Sequence, residues 1–141
     1  MFKTLSLAAV AALSLSTPVL AEDVTVTLTG VQARGGALLT ALQTQAQFLQ
    51  PAGAHGEIVR DPRSGSIRVT FRGVAPGDYS FSALHDADND GRMTMSGSMP
   101  AEGWAMVNGE SLRGPPTWDQ VKFTVPASGD VALTLPMAYP R

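Results

Sequence analysis

Ser66-Ile67-Arg68-Val69-Thr70-Phe71 and Tyr79-Ser80-Phe81-Ser82-Ala83-Leu84-His85, with Gly73-Val74-Ala75-Pro76-Gly77-Asp78 between them, decide how this chain is read. In the first segment Ile67, Val69 and Phe71 alternate with polar residues. A period of two puts them on one face of a strand, where branched and aromatic side chains pack well. Pro76-Gly77 suits the centre of a type II turn, because proline presets φ and glycine accepts a positive one. Beyond the turn Tyr79, Phe81, Ala83 and His85 share one face of a second strand, with Ser80, Ser82 and Leu84 on the other.

The same pattern recurs outward in both directions. Asp23-Val24-Thr25-Val26-Thr27-Leu28-Thr29 alternates with Val24, Val26 and Leu28 inward. Gly35-Gly36 breaks the chain before a strand over 37–42. Gln43 to Gly56 is polar and small and reads as a loop or a short helical turn. Toward the C-terminus, 121–125 and 131–135 are two further strands, joined at 127–130 by an expected hairpin. Between Asp86 and Asp119 runs a long irregular segment. At least six short strands and no amphipathic helix predict an all-β fold: a single antiparallel sandwich, immunoglobulin-like or prealbumin-like, with one long loop.

The N-terminus is read apart from the fold. Lys3 supplies a positive start, 5–15 is an apolar run, and Val19-Leu20-Ala21 fits a small-x-small cleavage site. These are the parts of a secretory signal peptide. The run is shorter than the ~20 residues that span a bilayer. The division is therefore a signal peptide over 1–21 and one sandwich domain over 22–141. A periplasmic or extracellular address follows, with no transmembrane segment after cleavage.

The chain has 141 residues, 12 acidic against 10 basic, a net charge of −2, and no cysteine. The weak acidity and the lack of a Lys/Arg run argue against nucleic acid as a partner. Expected partners are an unknown protein or an envelope component. The missing cysteine excludes thiolate metal sites, thiol catalysis and a lipid anchor at the processing site.

Asp86-Ala87-Asp88-Asn89-Asp90-Gly91 is the clearest chemical feature. Carboxylates at alternate positions followed by glycine match the first half of a calcium loop. Three acids so close repel one another unless a cation sits between them, and the glycine permits the turn that aims their oxygens inward. The Arg92 carbonyl is the next expected ligand, and Thr94 can add its hydroxyl or hold a water. The twelfth position is Gly97, where a helical calcium hand needs a bidentate glutamate. Calcium takes six to eight oxygens, so Glu102 or water has to complete the set. The candidate metal residues are thus Asp86, Asp88, Asp90, Arg92, Thr94 and Glu102. A solvated turn of Asp, Asn and Gly is the competing reading.

Other chemistries are thinner. Met93, Met95, Met99 and Met106 crowd into one region near His85, and thioethers select Cu(I). That pattern also fits methionines filling gaps under a loop. His85 fits a hydrogen-bonded structural histidine, and His55 carries no signal. No serine lies in a G-x-S-x-G elbow, although Ser82 and Ser98 neighbour the acidic loop. Asp86 with Glu102 is the one carboxylate pair a small hydrolase would use. The expectation is no catalytic residue and no organic cofactor. Trp104 and Trp118 are expected to fold back over the core.

Four blocks taken together carry a resemblance. They are Phe71-x-Gly73-Val74-x-Pro76-Gly77-x-Tyr79, His85-Asp86-x-Asp88-x-Asp90-Gly91, Pro100-x-Glu102-Gly103-Trp104 and Gly114-Pro115-Pro116-x-Trp118. In order and spacing they resemble the bacterial domain-of-unknown-function family 2141. The resemblance implies an exported small β-sandwich, similar to prealbumin-like and collagen-adhesin B-type domains, and no particular activity. The chain departs from the family pattern at Thr94, where a carboxylate is common, and at Met99 and Met106.

Overall fold

The computed structural model describes residues 21–141, so the expected signal peptide lies almost wholly outside the described residues. Ten strands follow in order: β1 (Glu22–Val31), β2 (Ala37–Gln43), β3 (His55–Arg60), β4 (Gly65–Val74), β5 (Gly77–Asp86), β6 (Met95–Ser96), β7 (Met99–Pro100), β8 (Gly103–Met106), β9 (Phe123–Val125) and β10 (Val131–Pro136). One helical turn, α1 (Trp118–Val121), precedes β9. Among the described residues no helix is long and apolar enough to cross a membrane.

The strands form two main sheets, β10-β1-β4 and β3-β2-β5-β8, with β9 added to β5 and β6-β7 a separate small ribbon. Period-two alternation explains the layering. Val24, Val26 and Leu28 of β1 and Val69 and Phe71 of β4 are buried, facing Leu38 and Leu42 of β2 and Phe81 and Ala83 of β5. Phe71 and Phe81 meet edge to face across this core, ring centroids 6.2 Å apart. The expected all-β sandwich is the architecture found.

The Pro76-Gly77 turn joins the two sheets instead of closing a hairpin, since β4 pairs with β1 and β5 with β2. Gly77 takes φ +148° rather than the ~+80° of a type II turn. The Tyr79 hydroxyl donates to the Ala75 carbonyl at 2.8 Å and braces this corner.

Four local expectations are corrected. Residues 127–130 do not form a hairpin: β9 pairs with β5, whereas β10 crosses to the other sheet and pairs with β1. That β1–β10 pair is parallel, so the sandwich is not wholly antiparallel. The strand expected over 121–125 begins only at Phe123, because Trp118–Val121 closes a helical turn in which the Thr117 N–H donates to Gln120 Oε1. The segment Asp86–Asp119 is not irregular throughout, since it holds β6, β7 and β8, and β8 extends the larger sheet beside β5. Its alternation puts Gly103 and Ala105 inward and Trp104 half-buried on the outer face. Trp118 meets Phe48 edge to face at 5.6 Å. Both tryptophans therefore pack outside the inter-sheet core.

The acidic cluster as candidate functional site

The loop after β5 is anchored at its buried end. Asp86 is the last residue of β5 and is 4 % exposed; Asp88 and Asp90 are exposed. Asn89 and Gly91 take left-handed backbone (φ +57° and +73°), which coils the chain back on itself. The coil turns N–H groups onto the carboxylates. Gly91 N–H donates to Asp86 Oδ2 (2.8 Å), Asp90 N–H to Asp86 Oδ1 (3.1 Å) and Asp88 Oδ1 (3.2 Å), and Arg92 N–H to Asp90 Oδ1 (2.8 Å).

The β6–β7 ribbon then brings a fourth acid back to the same place. Ala101 N–H bonds the Thr94 carbonyl (2.8 Å), and Thr94 N–H donates to Glu102 Oε2 (3.1 Å). Carboxylate oxygens of Asp86, Asp88, Asp90 and Glu102 lie within 4.8 Å of one another and could hold a metal ion. Glu102 thus stands where the sequence left the ligand set incomplete at Gly97. It enters from the first residues before β8 rather than from a flanking helix. Thr94 takes part through its hydroxyl, which donates to Asp88 Oδ2 at 3.1 Å. Arg92 contributes the N–H already named.

One buried atom in the cluster lacks a partner. Glu102 is 7 % exposed, and its Oε1 accepts no hydrogen bond. A buried carboxylate oxygen without a donor or a cation is costly, by several kcal/mol for a full charge. The electrostatics follow. Desolvation, chiefly, raises Asp86 above its ordinary value; the Asp88 and Asp90 side chains add to this, and the Gly91 and Asp90 N–H groups oppose it. Asp88 is also partly desolvated, yet hydrogen bonds from the Asp90 N–H, Asp86 and Thr94 outweigh that and hold it below its ordinary value.

Two positions that support the cluster were not singled out from the sequence. Gly36 packs so closely on the Asp86 carbonyl that an added Cβ would overlap it, with the Ala87 Cα 2.8 Å away. The Gly35-Gly36 pair read only as a chain break. Tyr139 lies beside Gly103, and its hydroxyl meets His85 Nδ1 at 2.7 Å while accepting the Gln32 N–H at 3.0 Å. His85 Nε2 lies 2.8 Å from the Gly35 carbonyl, an acceptor only. In the neutral ring that sets the tautomer: Nε2–H donates to Gly35 and Nδ1 accepts from Tyr139. Buried to 1 % exposure, His85 is a structural clamp between the loop, the β1–β2 turn and the C-terminal segment.

The other candidates are not assembled. Pairing of Met95 with Pro100 and of Ser96 with Met99 puts Met95 and Met99 on opposite faces of the β6–β7 ribbon. Met93, Met95 and Met99 are exposed and Met106 is half-buried on β8. Ser98 sits exposed in the ribbon turn, and both nitrogens of His85 are committed elsewhere.

A family model described as "Uncharacterized protein conserved in bacteria (DUF2141)" matches residues 26–133. The chain belongs to this family. The match runs from β1 into β10 and includes the whole acidic cluster. No curated protein and no solved structure matches the chain.

Proposed function

We propose that this member of the family is an exported β-sandwich module, structural or binding rather than enzymatic, whose long loop is pinned by a calcium ion held by Asp86, Asp88, Asp90 and Glu102. The observation that carries this reading is that Glu102, whose buried Oε1 has no hydrogen-bond partner, brings a carboxylate oxygen within 4.8 Å of those of three further acids. Four hard oxygen donors with no nitrogen or sulfur suit calcium, and its flexible coordination tolerates a set completed by a backbone carbonyl and water. Asp86 ends β5 and Glu102 immediately precedes β8, so the ion would tie the β6–β7 ribbon to the larger sheet. The N-terminal segment supports export, and calcium is plentiful outside the cytoplasm. A non-enzymatic role is supported by the commitment of both His85 nitrogens to Tyr139 and Gly35.

Calorimetric titration of the chelator-treated protein with calcium, paired with melting curves in calcium and in chelator, tests the proposal. Saturable binding and a higher melting temperature in calcium are expected. No heat and no shift at millimolar calcium would refute it.

A further inference from the structure

β3 is the outer strand of the larger sheet, and its pairing with β2 runs unbroken from Ala37–Arg60 to Leu42–His55. The Thr40 hydroxyl donates to the Glu57 carbonyl at 2.8 Å, so that carbonyl points toward β2. Backbone groups alternate along a strand. The N–H and C=O groups of Gly56, Ile58 and Arg60 therefore point away from β2, along an edge that pairs with no other strand among the described residues. Other edges carry features that oppose further pairing. Ala138 takes the outer side of β8 at Trp104 through hydrogen bonds of 2.9 and 2.7 Å. β10 ends in Pro136, and β4 is bulged against β1 near both ends. β3 has no proline, no lysine and no bulge, and Ile58 on it is 55 % exposed. An edge of this kind is a template for another strand.

We propose that β3 forms the contact of a two-fold dimer between two copies of this chain, by antiparallel edge-to-edge pairing centred on Ile58. In that register Ile58 faces Ile58 of the second copy, and Gly56 faces Arg60. At the strand ends, His55 faces Asp61, the residue after β3. The outward N–H and C=O groups of Gly56, Ile58 and Arg60 then satisfy one another. The pairing also prolongs an apolar row on the outer face, since Trp104 pairs with Leu84, Leu84 with Leu39 and Leu39 with Ile58. Charge selects this register. A slip by two residues sets Glu57 against Glu57 in one direction and against Asp61 in the other, and like charges directly opposite are unfavourable. A slip by one residue turns the apolar face to the wrong side. The strand is complementary to itself in one register, which favours a second copy over an unrelated segment.

Sedimentation of the purified chain at rising concentration reads the mass, and a concentration-dependent dimer is expected. Ile58→Lys places two like charges on the axis; the dimer should dissociate at least tenfold more readily, with the melting temperature of the dilute monomer unchanged. The chain has no cysteine, so Ile58→Cys offers one thiol, which a short bis-maleimide should join to that of a second copy. Ser98→Cys, on the β6–β7 ribbon, should not cross-link. A chain that stays monomeric at millimolar concentration overturns the proposal, and so does a dimer indifferent to Ile58→Lys. Equal cross-linking at Ser98→Cys overturns it as well.

Discussion

Replacing Glu102 with glutamine should stabilise the protein in chelator and lose that advantage in calcium. The substitution keeps the shape and leaves an oxygen to accept the Thr94 N–H, but it removes one of four charges. Glu102 and Asp86 are both buried, with oxygens within 4.8 Å. At 4.8 Å, the greatest separation this allows, two unit charges repel by about 3.5 kcal/mol at an effective dielectric of about 20. Asp88 and Asp90 are exposed and screened, so only the Asp86 pair is counted. Desolvating the new amide and imperfect pairing of its N–H groups offset part of the relief, leaving about 1–2 kcal/mol of added stability in chelator. For a domain of this size that raises the melting temperature by roughly 3–6 °C. In calcium the native protein gains about 2.7 kcal/mol at a hundredfold excess over Kd. A variant binding tenfold more weakly loses about 1.4 kcal/mol of that gain. Thermal melts in chelator and in calcium should therefore show the variant above the native protein in the first and the two converging in the second. A variant destabilised equally in both conditions would refute the reasoning and leave Glu102 as no more than the acceptor of Thr94.

Three further substitutions test the frame around the cluster. Gly36→Ala drives a methyl into the Asp86 carbonyl at a position with φ +71°; a loss of more than about 2 kcal/mol in urea unfolding is expected, together with weaker calcium binding by titration. Tyr139→Phe strands His85 Nδ1 and the Gln32 N–H, which should lower stability by about 1–3 kcal/mol and speed amide exchange at Ala138. Phe81→Ala empties the centre of the core, where Phe81 is fully buried against Phe71; about 3–5 kcal/mol should be lost in denaturant titration.

Strands with a buried face and a solvated face were legible without coordinates. β1, β4, β5 and β10 announce themselves because branched and aromatic residues recur at every second position, whereas β2 was marked only by the Gly35-Gly36 break before it. β3 did not, because His55-Gly56-Glu57-Ile58-Val59-Arg60 lies at an edge where little is buried and polar residues and glycine are tolerated. β8 is four residues inside a polar stretch, and its pairing with β5 makes it a strand. The segment 127–130 has the glycine and aspartate of a hairpin, yet the same residues serve a crossing between sheets. Local pattern records the direction of side chains and says nothing about which strand lies alongside.

The acidic loop divides in the same way. Asp86, Asp88, Asp90 and Gly91 are specified by spacing alone, since alternate carboxylates before a glycine converge whenever the backbone coils there. Glu102 was named as a candidate, but its arrival depends on the β6–β7 ribbon folding back and on Thr94 holding its other oxygen. The depth of Asp86 depends on Gly36, fifty residues away in sequence, which lets the β1–β2 turn close over it. Alternation and turn chemistry are short-range and travel with the chain. Burial, desolvation and the convergence of a fourth carboxylate are properties of the space between segments, and only the packed sandwich sets them.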